Sequence, residues 1–141
     1  MSFVISHKVP IHITATADEA LSDANKLEAG TKFGVTDTDE FEEEKFLNSP
    51  GYSENVPVWS SLSGSIEGKR KTGSATQEVM ANAKKTRTPF FIHVISNPTA
   101  AAGSKGLRYE VYAESDEKNF EAGTAQSFNY PLKFNGAPVP I

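Results

Sequence analysis

The strongest regularity in the chain is a two-residue alternation of apolar and polar positions through its second half. Phe128, Tyr130, Leu132 and Phe134 alternate with Ser127, Asn129, Pro131 and Lys133. This predicts a strand over Gln126 to Asn135 with one covered and one wet face. Leu107, Tyr109, Val111 and Ala113 alternate in the same way with Arg108, Glu110, Tyr112 and Glu114, a strand over Leu107 to Ser115. From Trp59 to Lys69, Leu62, Gly64, Ile66 and Gly68 fall on one side, and Trp59, Ser61, Ser63, Ser65 and Glu67 on the other. Glycines inside a strand mark bulges or places where another backbone comes close. Phe90 to Ile95 is apolar except at His93 and predicts a strand buried on most of both faces. Nearer the start, Val9, Ile11 and Ile13 alternate with Pro10, His12 and Thr14, a strand over Val9 to Ala15. Thr16 to Gly30 is small and polar and reads as loop, with Lys32 to Val35 a short further strand.

One segment changes period. Ser74 through Gln77 fits a capping box, in which the serine oxygen and the glutamine side chain each satisfy a free backbone N–H. Glu78 in the first turn and Lys84 and Lys85 in the last complement the helix dipole, and Ala75, Val79, Met80 and Ala83 form a narrow apolar stripe. Thr88-Pro89 ends this helix. The architecture is mainly β: an antiparallel sandwich or barrel-like core with one flanking helix.

Residues 36 to 58 follow no clear period. The stretch from Thr36 through Phe41, Glu42, Glu43, Glu44, Phe46 and Leu47 is acidic with scattered aromatics, and Asn48-Ser49-Pro50-Gly51 breaks the chain before Tyr52. It reads as a long loop arm, and segments of this length without structure of their own are usually functional. Phe41, Phe46, Leu47 and Tyr52 are too apolar for a plain linker and point to an arm that orders against a partner.

Composition narrows the function classes. A chain of 141 residues predicts one domain over 1 to 141, with a core at about 58 to 136 and extended termini. The net charge of −4 lacks the cationic footprint of a nucleic-acid binder, and Lys69-Arg70-Lys71 and Lys84-Lys85 are short enough to be solvated charges. There is no cysteine, which excludes disulfides, thiolate metal sites and cysteine nucleophiles. No stretch approaches a membrane span, and the start, Met1 to Lys8, has neither the basic head nor the apolar run of a cleaved leader. The expectation is a soluble protein without a membrane partner.

The motifs that could carry chemistry fail on detail. Gly64 to Arg70 resembles a phosphate loop but is one residue short, lies on a strand pattern, and has Arg70 where the magnesium-ligating hydroxyl belongs. Asp37 to Glu44 resembles a calcium loop by charge alone, with Glu42 where the turn needs glycine. His7, His12 and His93 show no metal-ligand spacing, and His93 reads as a satisfied core or interface histidine. No nucleophile elbow appears. The expectation is no enzyme, no metal and no cofactor.

A strand opened by Trp59 (Trp59-Ser60-Ser61-Leu62-Ser63-Gly64-Ser65-Ile66-Glu67-Gly68) precedes the helix from Ala75 to Lys85. Thr88 to Val94, Gly106 to Ser115 and a closing strand from Glu121 to Gly136 follow. In element order and texture this stretch, about 58 to 136, resembles the major tail proteins, or tail tube proteins, of long-tailed bacteriophages. It is also similar to the tube protein of bacterial secretion injectors. The resemblance implies a virion tail protein, assembled in the bacterial host cytoplasm, that stacks as homo-hexameric rings around a channel passing DNA. Its partners would be itself and other tail proteins (tape measure, terminator and baseplate), with DNA passing unbound.

On that reading Phe41, Glu42, Glu43, Glu44, Phe46, Leu47 and Tyr52 form the subunit or ring interface. Ser61, Ser63, Ser65, Glu67, Glu110, Glu114, Ser127 and Asn129 face the lumen, where a neutral-to-acidic lining repels phosphate. Lys69-Arg70-Lys71 must then lie away from the lumen or pair with acids. Two alternatives stand beside it. One is another ring-forming tail or injector component. The other is a monomeric β-sandwich binding module presenting Trp59, Tyr109 and Tyr112 on a flat face.

Overall fold

The computed structural model describes residues 9–44, 54–119, 122–123 and 126–141. Its elements are β1 (Ile11–Thr14), β2 (Gly30–Glu44), β3 (Glu54–Lys69), α1 (Ala75–Thr86), β4 (Phe90–Ile95), β5 (Gly106–Ala113), β6 (Glu117–Asn119), β7 (Ser127–Phe134) and β8 (Val139–Pro140). The strands join one sheet in the order β1-β4-β5-β7-β3-β2, with β6 added to β7 and β8 to β5. Every pairing is antiparallel.

The alternation read from the sequence sets the inner face. Ile66 lies opposite Tyr130, Gly68 opposite Phe128 and Gly64 opposite Leu132, so these residues share one side of β3 and β7. They meet Ile13, Phe90, Ile92 and Val111, and Met80 and Ala83 of α1, in one buried cluster. A Cβ on Gly64 would overlap the Gly34 carbonyl, and one on Gly68 would strike Ala29 and the Phe128 ring, which is the close backbone approach expected there.

The sheet also curls. In the strand order β2 and β5 stand three spacings apart, about 14 Å in a flat sheet. Yet the rings of Phe33 in β2 and Tyr109 in β5 meet edge-on with centroids 5.7 Å apart, and Tyr109 meets Phe134 in the same way at 5.7 Å. Burial, with Asp37 nearby, raises the pKa of the Tyr109 phenol, which stays neutral.

The helix begins where expected, with a difference in its cap. The Gln77 N–H donates to Ser74 Oγ at 3.5 Å, but the Gln77 side chain does not return to the Ser74 backbone. Its Oε1 accepts from the Lys71 N–H at 2.9 Å, and its Nε2 donates to the carbonyls of Lys69 (2.8 Å) and Glu28 (3.3 Å). Gln77 therefore ties the helix start to the end of β3 instead of closing a reciprocal box. The buried stripe is Thr76, Met80 and Ala83, with Ala75 exposed. At the other end Arg87 takes a left-handed conformation (φ 59°, ψ 39°) with its N–H on the Ala83 carbonyl. Glycine is the usual residue there, and a side chain at such a position costs roughly 1 kcal/mol.

The edge of β1 is covered. Lys26 bridges to His12, and the Leu27 N–H donates to the Ile11 carbonyl at 2.7 Å. Behind this edge His12, His93 and Arg108 stand directly opposite one another across β1, β4 and β5. Each holds the segment that follows β1. His12 Nδ1 donates to Asn25 Oδ1 (2.8 Å), and Arg108 Nη1 donates to the Ala17 carbonyl (3.3 Å). The Thr14 hydroxyl spends its proton on the Thr16 carbonyl (2.7 Å), so His93 Nε2 donates to Thr14 Oγ1 (2.9 Å). His93 is thus the satisfied core histidine expected, only 3 % exposed. Burial, with Arg108 and His12 adding positive charge, lowers its pKa to about 4.

The main departure from the sequence reading is the arm. Thr36 to Glu44 continues β2 and Glu54 to Val58 begins β3, paired from Thr36–Ser63 down to Glu44–Glu54. Strand pairing supplies the backbone partners that an irregular loop would lack, and side-chain propensity is secondary once the ladder is formed. β6 was not expected either. The C-terminal tail is extended, as read, and is held by β5, with the Ile141 carbonyl accepting from the Lys105 N–H at 2.7 Å.

Two outcomes follow for the subunit. Leu132 is 3 % exposed, and Leu132→Asp places an unpaired charge in the cluster. It should lower stability by more than about 4 kcal/mol and abolish the cooperative thermal transition; an unchanged transition would mean that the faces are reversed. For His93, the unfolded chain takes up a proton below pH 6.5 while the folded chain does so only near pH 4. Stability from this group is therefore complete above pH 6.5 and falls by about 3 kcal/mol toward pH 4. Urea titrations should show His93→Gln losing that much less stability than the parent over the same window.

Candidate assembly surface

Two surfaces remain once the inner face is buried. The first is a ribbon. β3 pairs with β7 only from Ser63 to Lys69, so residues 54–62 of β3 have only β2 beside them among the described residues. That leaves a two-stranded ribbon reaching roughly 30 Å beyond the sheet at the usual strand rise. A bulge between Glu40 and Phe41, opposite Trp59 and Pro57, adds twist. Residues 36–43 and 55–61 are exposed throughout. Among them are large apolar groups: Phe41 at 59 % and Trp59 at 69 %, with Val56 and Val58. Acids line the same ribbon. The Trp59 indole N–H donates to Glu40, and the Ser60 hydroxyl to Asp39. Glu42 and Glu43 face Val56 and Asn55 and have no ion pair among the described residues.

Phe41, Glu42 and Glu43 are therefore brought together as the sequence reading grouped them, on a ribbon and not on a loop. Glu44 ends β2, while Phe46, Leu47 and Tyr52 lie outside the described residues. An isolated two-stranded ribbon is marginal in water, and this one buries none of its described side chains. Val56, Val58 and Trp59 are the members that sequence reasoning left out of the arm; the alternation from Trp59 onward could have been followed back three residues.

The second surface is the outer face of β3, β7 and β5. Ser65 lies opposite Pro131, Glu67 opposite Asn129, Lys69 opposite Ser127 and Ser63 opposite Lys133. Ser61, Ser63, Ser65, Glu67, Ser127 and Asn129 thus share one face. Asn129 Nδ2 donates to Glu117 Oε2 at 3.4 Å. Glu114 joins this face through its N–H on the Pro131 carbonyl (2.8 Å) and lies 3.8 Å from Lys133 Nζ. The Glu110 carboxylate accepts from Asn135 Nδ2 at 2.9 Å. The sequence reading missed Lys32, which lies opposite Glu67; Lys69 and Lys133 belong to this face as well. Its charge is mixed, not uniformly acidic. Of the basic run, Arg70 pairs with Asp116 (2.9 Å) and Lys71 with Glu28 (2.6 Å), while Lys69 has no ion pair among the described residues.

Among the described residues, no cluster of His, Asp or Glu is placed to hold a metal ion. No helix among them is long and apolar enough to cross a membrane. Tyr109 sits in the inner aromatic cluster while Trp59 and Tyr112 are exposed, so the three do not form a flat aromatic platform.

The fold has solved counterparts. It is similar to a chain in the SPP1 tail tube, with TM-score 0.71 and 14 % identity over 98 % of this chain and 80 % of that one. It matches a chain in the tail of a gene transfer agent particle refined with C6 symmetry, with TM-score 0.67 and 16 % identity over 93 % and 95 %. This is the tail tube fold. A chain in the baseplate of the anti-feeding prophage, 6-fold symmetrised, shares it at TM-score 0.61 and 9 % identity over 99 % and 97 %. No protein-family model matches the sequence, and comparison with curated proteins gives no match. The resemblance read from the residues after Trp59 is thus upheld by the three-dimensional structure.

Within this tail tube fold the ribbon is separable from the core energetically. Phe41→Ser should leave the unfolding free energy of the dispersed subunit within about 0.5 kcal/mol of the parent, because Phe41 makes no buried contact. A loss as large as that of a core truncation would show that Phe41 packs within its own subunit.

Proposed function

We propose that this chain is a structural, non-catalytic subunit that polymerises as stacked hexameric rings to form a tail tube through which DNA passes. The observation that carries this reading is the ribbon of β2 and β3: paired backbone, exposed aromatics, and nothing among the described residues to cover them. Large exposed apolar groups on a projecting element mark an interaction surface. The tail tube fold supports the reading, and the six-fold symmetry printed for the gene transfer agent tail and the anti-feeding prophage baseplate supports rings of six. Rings close through heterologous contacts, and stacking adds a second repeated contact. On this reading the chain is one domain, with a core at about 58 to 136 and the ribbon as its arm.

The outer face of β3, β7 and β5 lines the channel on this reading. Ser61, Ser63, Ser65, Glu67, Glu110, Glu114, Ser127 and Asn129 are its polar members, with Lys32, Lys69 and Lys133 between them. Phosphate contacts need unopposed cations to release counterions. Here Lys133 lies near Glu114, and Lys32 opposite Glu67. Such a lining leaves DNA free to slide. The location is the virion tail, assembled in the host cytoplasm, with other tail proteins at the tube ends. A second reading, a single ring at the end of a tail or injector, draws on the baseplate counterpart.

Negative-stain microscopy of the concentrated protein decides between them: long tubes support the tail tube, and single rings support the end component. Deleting residues 37–55 should leave a folded subunit, with the thermal transition of the core retained, that no longer polymerises. Normal tubes from the shortened protein would remove the ribbon from the assembly contact.

A further inference from the structure

Among the described residues the ribbon's Glu42 and Glu43 have no ion pair, and a basic cluster elsewhere has none either. Lys84, Lys85 and Arg87 lie within one turn at the end of α1, Lys85 and Arg87 exposed, and none has a carboxylate partner among the described residues. By contrast Arg70, Lys71 and Lys133 are already matched with Asp116, Glu28 and Glu114.

The register keeps the two clusters apart in a single copy. Phe90, just after the helix, lies opposite Val111, which lies opposite Phe134, and the neighbouring Lys133 lies opposite Ser63. The end of α1 is therefore level with about Leu62 of β3. Glu42 and Glu43 lie opposite Val56 and Asn55, further out along the ribbon by roughly 20 Å at the usual rise. That distance is far beyond an ion pair and beyond the screening length of about 8 Å at physiological salt.

Resting on the tube reading, we propose that the ribbon of one copy docks on the C-terminal end of α1 in another copy. Glu42 and Glu43 meet Lys84, Lys85 and Arg87, while Phe41, Val58 and Trp59 exclude water beside them. Desolvation by apolar neighbours is what makes such charge pairs count, and opposite signs fix which surfaces meet. The conformation of Arg87 fits this role. A left-handed helix end is where glycine is least strained, and the chain places a long cationic side chain there.

The test uses the full-length protein, with polymer measured by sedimentation and microscopy at about 0.1 M and about 1 M salt, where screening lengths are roughly 10 and 3 Å. Wild-type polymer should need about tenfold more protein to assemble at the higher salt. Glu42→Lys with Glu43→Lys should raise the assembly concentration by about tenfold or more at low salt. Lys85→Glu with Arg87→Glu should do the same. Combining all four should restore most of the assembly. Thermal melts of each variant confirm that the exposed changes leave the subunit folded. Arg87→Gly supplies a variant that cannot fail by misfolding: it should melt higher than the parent yet polymerise less readily. Tubes that ignore salt and both reversals, or a four-fold variant no better than its parents, would overturn the pairing and leave the tube reading standing. A wild-type chain that forms no polymer at any salt overturns the tube reading and the pairing together.

Discussion

The whole arrangement depends on the closing of one sheet face upon itself. An antiparallel sheet with one apolar side must cover that side, and α1 alone is too short to do so. The curl that brings Phe33 of β2 against Tyr109 of β5, and Tyr109 against Phe134, supplies the rest of the cover. Once these strands meet edge to edge through their rings, the length of the inner face is set by β4, β5 and β7. β2 and β3, at 15 and 16 residues, are far longer than that face. The excess has nowhere to go but outward, and the acidic ribbon is the consequence.

That excess is thermodynamically incomplete. A two-stranded ribbon satisfies its inner ladder but leaves a free row of backbone groups on each side and buries little apolar surface. Phe41 and Trp59 stand in water beside a line of carboxylates that repel one another. In the proposed assembly, contact with another copy resolves each of these at once: aromatics are covered, like charges meet opposite ones, and edges find partners. The same reasoning explains why the charge elsewhere is settled locally, with Arg70, Lys71 and Lys133 each near an acid of their own subunit.

The opposite edge of the sheet shows the other strategy. The row of His12, His93 and Arg108 places three basic groups side by side under the segment after β1. His93 is held neutral by burial and by its neighbours' charge, and it donates to a threonine whose own proton is committed elsewhere. This is a neutral hydrogen-bond chain, stable above the ordinary histidine range and strained by acid, which anchors the covered edge of β1. One edge of the sheet is thus sealed by the chain itself, while the other, β2, remains available.

Local pattern decided much of this. Period-two alternation was enough to place β5, β7 and the inner part of β3 and to assign their faces, because a half-buried strand separates its apolar and polar residues by geometry alone; β4 was legible as an apolar run. The helix was legible from Ser74, Glu78 and the lysines at its end, since caps and dipole act within a turn or two. The ribbon was not legible. Asp37 to Glu44 carries no alternation, because neither face of the ribbon is buried in its own subunit, and a strand exposed on both sides leaves no trace in hydrophobicity. Its conformation comes from the ladder with β3, which is a contact between segments and not a property of either. The same holds for Gln77, whose partners on Glu28 and Lys69 are brought near only by the fold, and for Lys32, which joins the outer face only through its position opposite Glu67. What a residue does to its immediate neighbours could be read along the chain. Which distant segments pair, and what they leave unpaired, depended on the curl of the sheet.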